Sequence, residues 1–409
     1  MVGRNLVVMN VLFLTLVEIN SVEERGIYQD LLRKFRDEGH DVTIVTPVER
    51  RRKIATNLIQ KEGVSILQVK TLNIQKTHII EKGIGTLAIE YQYLFAIKKF
   101  FAFKKFDLIL YSTPPITLVK VIEYIKNRDS ARTYLLLKDI FPQNAVDMKM
   151  LKKGSFLHKQ FVKKEKKLYQ ISDTIGCMSP ANANFVLEHN TEIENSKVEV
   201  NPNTIEPKDY NYSKDQKIAI RQKYEVPVDR KVLVYGGNLG KPQGLDFLLE
   251  TVKATKFDNV FFLIVGDGTE FPKIKNWFDI NNPTNAKLLQ RLPKEDYDQL
   301  LAACDVGLIF LDNKFLIPNF PSRLLSYLEM KMPVIAATDP NTDIGDIIQK
   351  NICGFKVISG DNEAMQMAIS SIVSNEEQFN IMKENAWNLL QKEYLVERSY
   401  KLIKEKVNV

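Results

Sequence analysis

Short apolar runs alternate with helix-period segments along nearly the whole of this 409-residue chain, in two successive series. That rhythm marks βαβ units, because consecutive parallel strands need a crossover, usually a helix. In the first series strands are predicted over residues 10–16, 41–46, 64–69, 107–111, 133–137 and 174–178. Helices are predicted over 25–38, 86–103 and 156–170, with Gly39 as the C-cap of the first. The second series begins near Lys231, with strands over 232–235, 260–265, 286–289, 306–311, 334–337 and 354–357. Between them, Asn201-Pro202-Asn203-Thr204 and the polar stretch 206–230 read as a linker. The expected fold class is α/β: two Rossmann-like doubly wound parallel-sheet domains, with ligands at the carboxyl ends of the strands. Domain boundaries are expected at 1–207 and 208–385. The helical segment 376–406 ends the chain, and residues 386–409 are expected to pack back toward the N-terminal domain.

Composition narrows the class. With 44% hydrophobic and 26% charged residues the chain is of ordinary globular make-up. No apolar run reaches the roughly 20 residues that cross a bilayer. Residues 6–17, behind Arg4, imitate a signal peptide. Asn10 and Thr15 interrupt the run, and Val17-Glu18-Ile19-Asn20 offers no small-residue cleavage site, so a buried first strand is expected. Met9 reads as a natural start, with residues 1–8 as an extension. Cys177, Cys304 and Cys353 lie far apart without a CxxC pair, as expected in a reducing, cytoplasmic compartment. No His/Asp cluster has metal-ligand spacing, so a metal-free site without cofactor is expected. Of the histidines, His40 is expected to begin a strand, and His78, His158 and His189 to lie on the surface. Residues 1–185 hold 30 Lys and Arg against 18 Asp and Glu, while the remainder is slightly acidic. A basic first half suits an anionic surface.

Three clusters carry candidate chemistry. Tyr235-Gly236-Gly237-Asn238-Leu239-Gly240-Lys241-Pro242-Gln243-Gly244 joins a strand to a helix. Its glycines allow close backbone approach, the helix start favours anions, and Lys241 adds charge. It has neither the GxGxxG nor the GxxxxGK[ST] spacing, and a plain glycine-rich turn is the alternative. Val265-Gly266-Asp267-Gly268 ends another strand and by itself also fits an ordinary tight turn. In Pro318-Asn319-Phe320-Pro321-Ser322-Arg323-Leu324, Pro321 suits the first helical turn. The amides of Ser322, Arg323 and Leu324, with the Arg323 guanidinium, would then suit a diphosphate.

In this order and spacing the clusters resemble retaining glycosyltransferases of family 4, which have the GT-B fold. The chain is most similar to the branch that builds bacterial capsules and O-antigens, including the N-acetylfucosamine-type transferases. Gly39-His40-Asp41-Val42, Asp139-Ile140-Phe141-Pro142, Ser179-Pro180, Val200-Asn201-Pro202-Asn203, Ala303-Cys304-Asp305-Val306 and Pro333-Val334 extend the resemblance over nearly the whole chain. The resemblance implies two domains facing a cleft, a UDP-sugar donor, a polyprenyl-diphosphate-linked saccharide acceptor, and work at the inner face of the plasma membrane. It implies donor contacts at Gly237, Asn238, Gly240, Lys241, Gly266, Asp267, Gly268, Pro321, Ser322, Arg323 and Leu324. Lys241 and Arg323 would stabilise the leaving diphosphate, and Asp139 would orient the acceptor. Glu24 and Arg25, at the first strand-to-helix turn, are further acceptor candidates.

The departures are specific. The family's two glutamates, eight apart, fall on Pro318 and Ser326, so Glu329, one turn beyond Ser326, is the candidate for the ribose hydroxyls. The usual basic pair of the glycine loop falls on Asn238 and Gln243. Lys98-Lys99-Phe100-Phe101-Ala102-Phe103-Lys104-Lys105 and the lysines from Lys152 to Lys167 around Phe156, Leu157, Phe161 and Val162 suit an anionic leaflet, or else a solvated face. Rival readings are a nucleotide-sugar 2-epimerase of the same fold and a non-catalytic GT-B scaffold. A nucleic-acid binder is disfavoured, since no helix-turn-helix, RRM or zinc-finger signature is present.

Overall fold

The computed structural model describes residues 8–74 and 79–407. His78, and the suggested extension apart from Val8, lie outside the described residues. Two units divide the chain: one runs to Glu206 and resumes at Val396, the other is Pro207–Leu395.

The first unit is built on β1 (Asn10–Leu14), β2 (Asp41–Glu49), β3 (Asn57–Lys61), β4 (Val64–Thr71), β5 (Leu108–Ser112), β6 (Arg132–Leu137), β7 (Thr174–Cys177) and β8 (Val198–Val200). Their order is β3-β4-β2-β1-β5-β6-β7-β8, parallel except for the β3–β4 hairpin. Val11–Leu14 and Leu108–Ser112 are buried, as strands covered by helices on both faces require. Direction of travel reverses between β1 and β5, which makes that crevice the topological switch point.

Two strands of this sheet have no counterpart in the expected set. Asn57-Leu58-Ile59-Gln60-Lys61 is a polar edge strand with only half-buried or exposed side chains, and β8 is three residues long. The first helix is Ile27–Asp37 rather than 25–38, with Gly26 at its N-cap. Gly39, at φ +85°, closes it: its amide donates to Arg36 O and that of His40 to Phe35 O. His40 is buried just before β2, accepting at Nδ1 from the Met9 amide and pairing at Nε2 with the Tyr400 hydroxyl at 3.0 Å.

Tyr400 comes from the end of the chain. The expected long helical segment is broken into Glu376–Glu393 and Val396–Val407, and between them Tyr394 is buried with its ring facing Phe320. The first helix stays with the second unit, so the return begins at Val396 rather than at 386. In the returning helix Val396, Tyr400 and Ile403 share a core with Leu31, Leu32, Phe35 and Val42.

The second unit holds β9 (Lys231–Asn238), β10 (Val260–Asp267), β11 (Ala286–Gln290), β12 (Val306–Phe310), β13 (Val334–Thr338) and β14 (Gly354–Ile358). All are parallel in the order β11-β10-β9-β12-β13-β14, the doubly wound arrangement with its switch point between β9 and β12.

Ile403 is fully buried, so Ile403→Ala is expected to destabilise the first unit by about 2–5 kcal/mol. The exposed control Lys401→Ala is expected to stay within about 0.5 kcal/mol. Urea denaturation of the full chain measures both, and equal stability of the two variants would remove the helix from the core.

Candidate functional site

The second switch point is occupied by the glycine loop. β9 runs on through Gly236, Gly237 and Asn238, and Gly237 has φ +123°, open to few residues but glycine. The end of β10 lies against it backbone to backbone. A Cβ on Gly266 would stand 2.0 Å from Gly237 O, and one on Gly268 2.4 Å from Leu239 O. The Leu239 amide donates to Asp267 O, and the Glu270 amide to Leu239 O. The glycines of Val265-Gly266-Asp267-Gly268 are thus required by packing on the loop. Asp267 is exposed, and its carboxylate accepts from the Gly268 amide at 2.8 Å. Asn238 is also exposed, with its amide group against Gly240.

Arg323 reaches the same loop from the start of the helix Arg323–Glu329. Its Nη2 donates to Gln243 Oε1 at 2.6 Å, and its guanidinium lies 4.2 Å over the Tyr235 ring. A Cβ on Gly237 would sit 3.6 Å from Nη2. Tyr235 also donates to Gln243 Oε1, fixing the amide that holds the arginine. Among the described residues Arg323 has no carboxylate partner, and its Nη1 is buried without a hydrogen bond. A buried donor left unsatisfied is costly, more so when charged, so this atom calls for an acceptor. Lys241 is exposed on the single turn Lys241–Gln243, and no ion pair involves it among the described residues. It lines a hollow of ≈ 510 Å³ with Gly240, Lys273, Asp312 and Ser359.

Three donor-side expectations are corrected. Pro321 precedes the helix, which starts at Arg323 with Ser322 as N-cap. The Leu324 amide is not free, since it donates to Pro321 O at 3.2 Å in a tight turn. Glu329 does not join the loop. It is buried at the far end of its helix, roughly 9 Å along the axis from Arg323, and Oε1 accepts from the Lys208 amide at 2.7 Å.

The acceptor candidates sit in the first unit, on loops at the carboxyl ends of its strands. Glu24 is exposed and Arg25 half-buried on the loop after β1, outside the helix. That loop is pinned by Glu62 of the β3–β4 turn, whose carboxylate accepts from the Ser21 hydroxyl and the Val22 and Glu23 amides. Asp139 follows β6; burial pushes its carboxyl up to about 6, against hydrogen bonds from the Ile140 amide and the Asn144 side chain. The amides of Lys138 and Asp139 both donate to Thr113 Oγ1. Lys138 was not singled out from the sequence, where a lone lysine after a strand looks like any surface cation. Burial brings its ammonium down to about 7, and it has no carboxylate partner among the described residues. Among those residues no three His, Cys, Asp or Glu are grouped to hold a metal ion.

Residues 216–388 match the family model described as Glycosyl transferases group 1. Over those residues the chain is similar to group 1 glycosyltransferases. It is similar to WbjE of Pseudomonas aeruginosa, a probable glycosyltransferase, at 22% identity over 352 residues, 84% of each chain. It is also similar to WcaI of Escherichia coli K12, a putative colanic acid biosynthesis glycosyl transferase, at 24% identity over 43% of each chain. Anabaena HepE in complex with UDP has the same fold, with TM-score 0.69, 15% identity and coverage of 98% of this chain and 100% of that one. So has sucrose-phosphate synthase from Thermosynechococcus elongatus, with TM-score 0.73, 14% identity and coverage of 97% and 98%. The two parallel-sheet units are those of the GT-B fold.

Gly266→Ala is expected to destabilise the second unit by about 1–3 kcal/mol, because the methyl group meets backbone that has nowhere to move. Thermal melting checks this, and an unchanged Tm would mean that the loop yields. Lys138 gives a pH test. Its folded value lies below the ordinary lysine value, so the native state bears a penalty that is full below about pH 7 and shrinks as pH rises from there. Lys138→Met is therefore expected to raise Tm most at or below neutral pH, with the gain fading toward pH ~10. A gain independent of pH would show that the ammonium is solvated.

Proposed function

We propose that this protein is a retaining, metal-independent family 4 glycosyltransferase that moves a sugar from a UDP-sugar to a lipid-linked saccharide. An N-acetylated deoxy-amino sugar of the fucosamine kind is the proposed donor sugar, and assembly of a capsule or O-antigen polysaccharide the proposed setting. The observation that carries this reading is Arg323, a half-buried guanidinium held against the glycine loop by Gln243 and Tyr235 with one donor left unpartnered. The names of WbjE and WcaI, and the UDP bound to HepE, support it.

In this mechanism the bond to the sugar breaks as negative charge grows on the departing diphosphate. Arg323, Lys241 and the loop amides receive that charge. A preorganised donor aimed at such charge contributes about 3–4 kcal/mol. The acceptor proton passes to the departing phosphate oxygen, so no strong protein base is needed. Asp139 orients the acceptor hydroxyl, and Lys138 beside it supplies a cation that is only partly protonated near neutral pH.

The same reading places the first unit on the inner, anionic leaflet of the plasma membrane. Phe103, Met150, Phe156 and Leu157 are exposed among Lys98, Lys99, Lys104, Lys105, Lys152 and Lys153, while Phe101 is in the core and Phe161 packs on Phe141. No helix among the described residues is long and apolar enough to cross a membrane. Exposed apolar side chains with lysines beside them in the sequence suit shallow insertion with anionic headgroups around them.

Arg323→Ala is expected to abolish thermal stabilisation by UDP and to lower kcat by about 10²–10³. A screen of UDP, GDP and ADP without added metal, followed by NMR of the product's anomeric proton, tests base and stereochemistry together. No response to any nucleotide would sink the transferase reading and bring the scaffold forward. Vesicle binding is expected to need anionic lipid and to weaken with salt; equal binding to neutral vesicles would remove the membrane from the reading.

A further inference from the structure

A second hollow of the Pro207–Leu395 unit shares no residue with the glycine loop or Arg323. It encloses ≈ 560 Å³, and its lining includes Tyr210, Tyr212, Lys217, Lys331, Lys383 and Trp387. The lysines come from three separate elements. Lys217 lies on the helix Lys214–Lys223, and Lys331 on the left-handed turn after the helix Arg323–Glu329. Lys383 and Trp387 lie one turn apart on the same face of the helix Glu376–Glu393.

All three lysines are half-buried, and none has an ion pair among the described residues. The carboxylates nearby are engaged elsewhere: Glu329 accepts from the Lys208 amide, Asp209 from the backbone and side chain of Asn211, and Asp305, whose charge reaches Lys217, from Arg221. Burial, and then the charge of Lys383, holds the Lys217 ammonium below its ordinary value. Like charges gathered in a concave, partly desolvated place repel one another until an anion joins them. The rest of the lining is aromatic. The Lys331 ammonium lies 5.4 Å from the centre of the Trp387 ring, and the Tyr210 and Tyr212 rings are 6.4 Å apart. Flat side chains beside a cationic cluster suit a ligand with a planar ring at one end and phosphate at the other.

We propose that this hollow is a second ligand site, which binds a phosphorylated compound carrying a planar ring, such as a nucleotide, independently of the glycine loop. Lys217, Lys331 and Lys383 take the phosphates, and Trp387 with the two tyrosines takes the ring.

Trp387 also reports on the site. The chain has two tryptophans, so Trp277→Phe leaves Trp387 as the only one, read by exciting at the red edge where tyrosine does not absorb. ATP and inorganic pyrophosphate are titrated into the full chain carrying that change, with and without Arg323→Ala to disable the loop. ATP is expected to alter Trp387 emission saturably, with the same midpoint when Arg323 is replaced. Lys217→Gln with Lys383→Gln is expected to weaken ATP at least about tenfold, as the loss of charge-assisted contacts predicts. Pyrophosphate, which lacks the ring, is expected to bind about tenfold more weakly than ATP. Thermal melting of the unsubstituted chain with ATP, and of Lys383→Gln alone, gives a second readout that needs no tryptophan change. No change in emission or Tm would overturn the site. So would an ATP response that survives the lysine replacements but vanishes with Arg323→Ala, which would place the nucleotide at the loop. Equal affinity for pyrophosphate would overturn the ring contact.

Discussion

The Pro207–Leu395 unit depends on a place where backbone meets backbone. Gly237 and Leu239 on one side and Gly266 and Gly268 on the other leave no room for a Cβ between the ends of β9 and β10. With the two strand ends so close, the loop is held by main-chain hydrogen bonds, to which the Tyr235 and Tyr327 hydroxyls add their own. Main-chain amides are fixed dipoles, and dipoles that do not need to reorganise are those that stabilise developing charge best. Arg323 lies across Gly237, where a Cβ would meet the guanidinium at ordinary contact distance, so the backbone at φ +123° rather than crowding calls for glycine there.

Arg323 differs from the other arginine that braces this unit. Arg221 is paired with Asp305 and also donates to the carbonyls of Ala303 and Arg230, so its charge is spent on holding the fold together. Arg323 is held by an amide and an aromatic face, which orient a cation without neutralising it. Orientation without neutralisation costs stability, and such local cost is characteristic of sites kept for a ligand.

Much of the fold is legible in the sequence, because strands buried on both faces read as apolar runs wherever they lie. All six strands of the second unit are found where the runs are, and β9 is longer than its run because the strand continues through glycines that carry no hydropathy signal. β3 and β8 were missed for the complementary reason: one is a polar edge and the other is three residues long. The glycine loop was legible as residue types at a strand end, and Arg323 as a cation at a helix start. The direction of Glu329 was not, because helical spacing gives a face but not what the far end of a short helix meets. Lys138 illustrates a further limit, since a lysine's burial depends on Thr113 and its neighbours, which are distant in sequence.

The returning helix Val396–Val407 has a consequence for how the molecule comes into being. Its Tyr400 closes over His40, and its Ile403 lies in the core with Phe35, residues made near the start of synthesis. A ribosome must therefore produce the whole of the Pro207–Leu395 unit before the first unit can complete its interior. Until then the apolar face of the helix Ile27–Asp37 has no cover from this element, and the nascent first unit must wait with part of its core open.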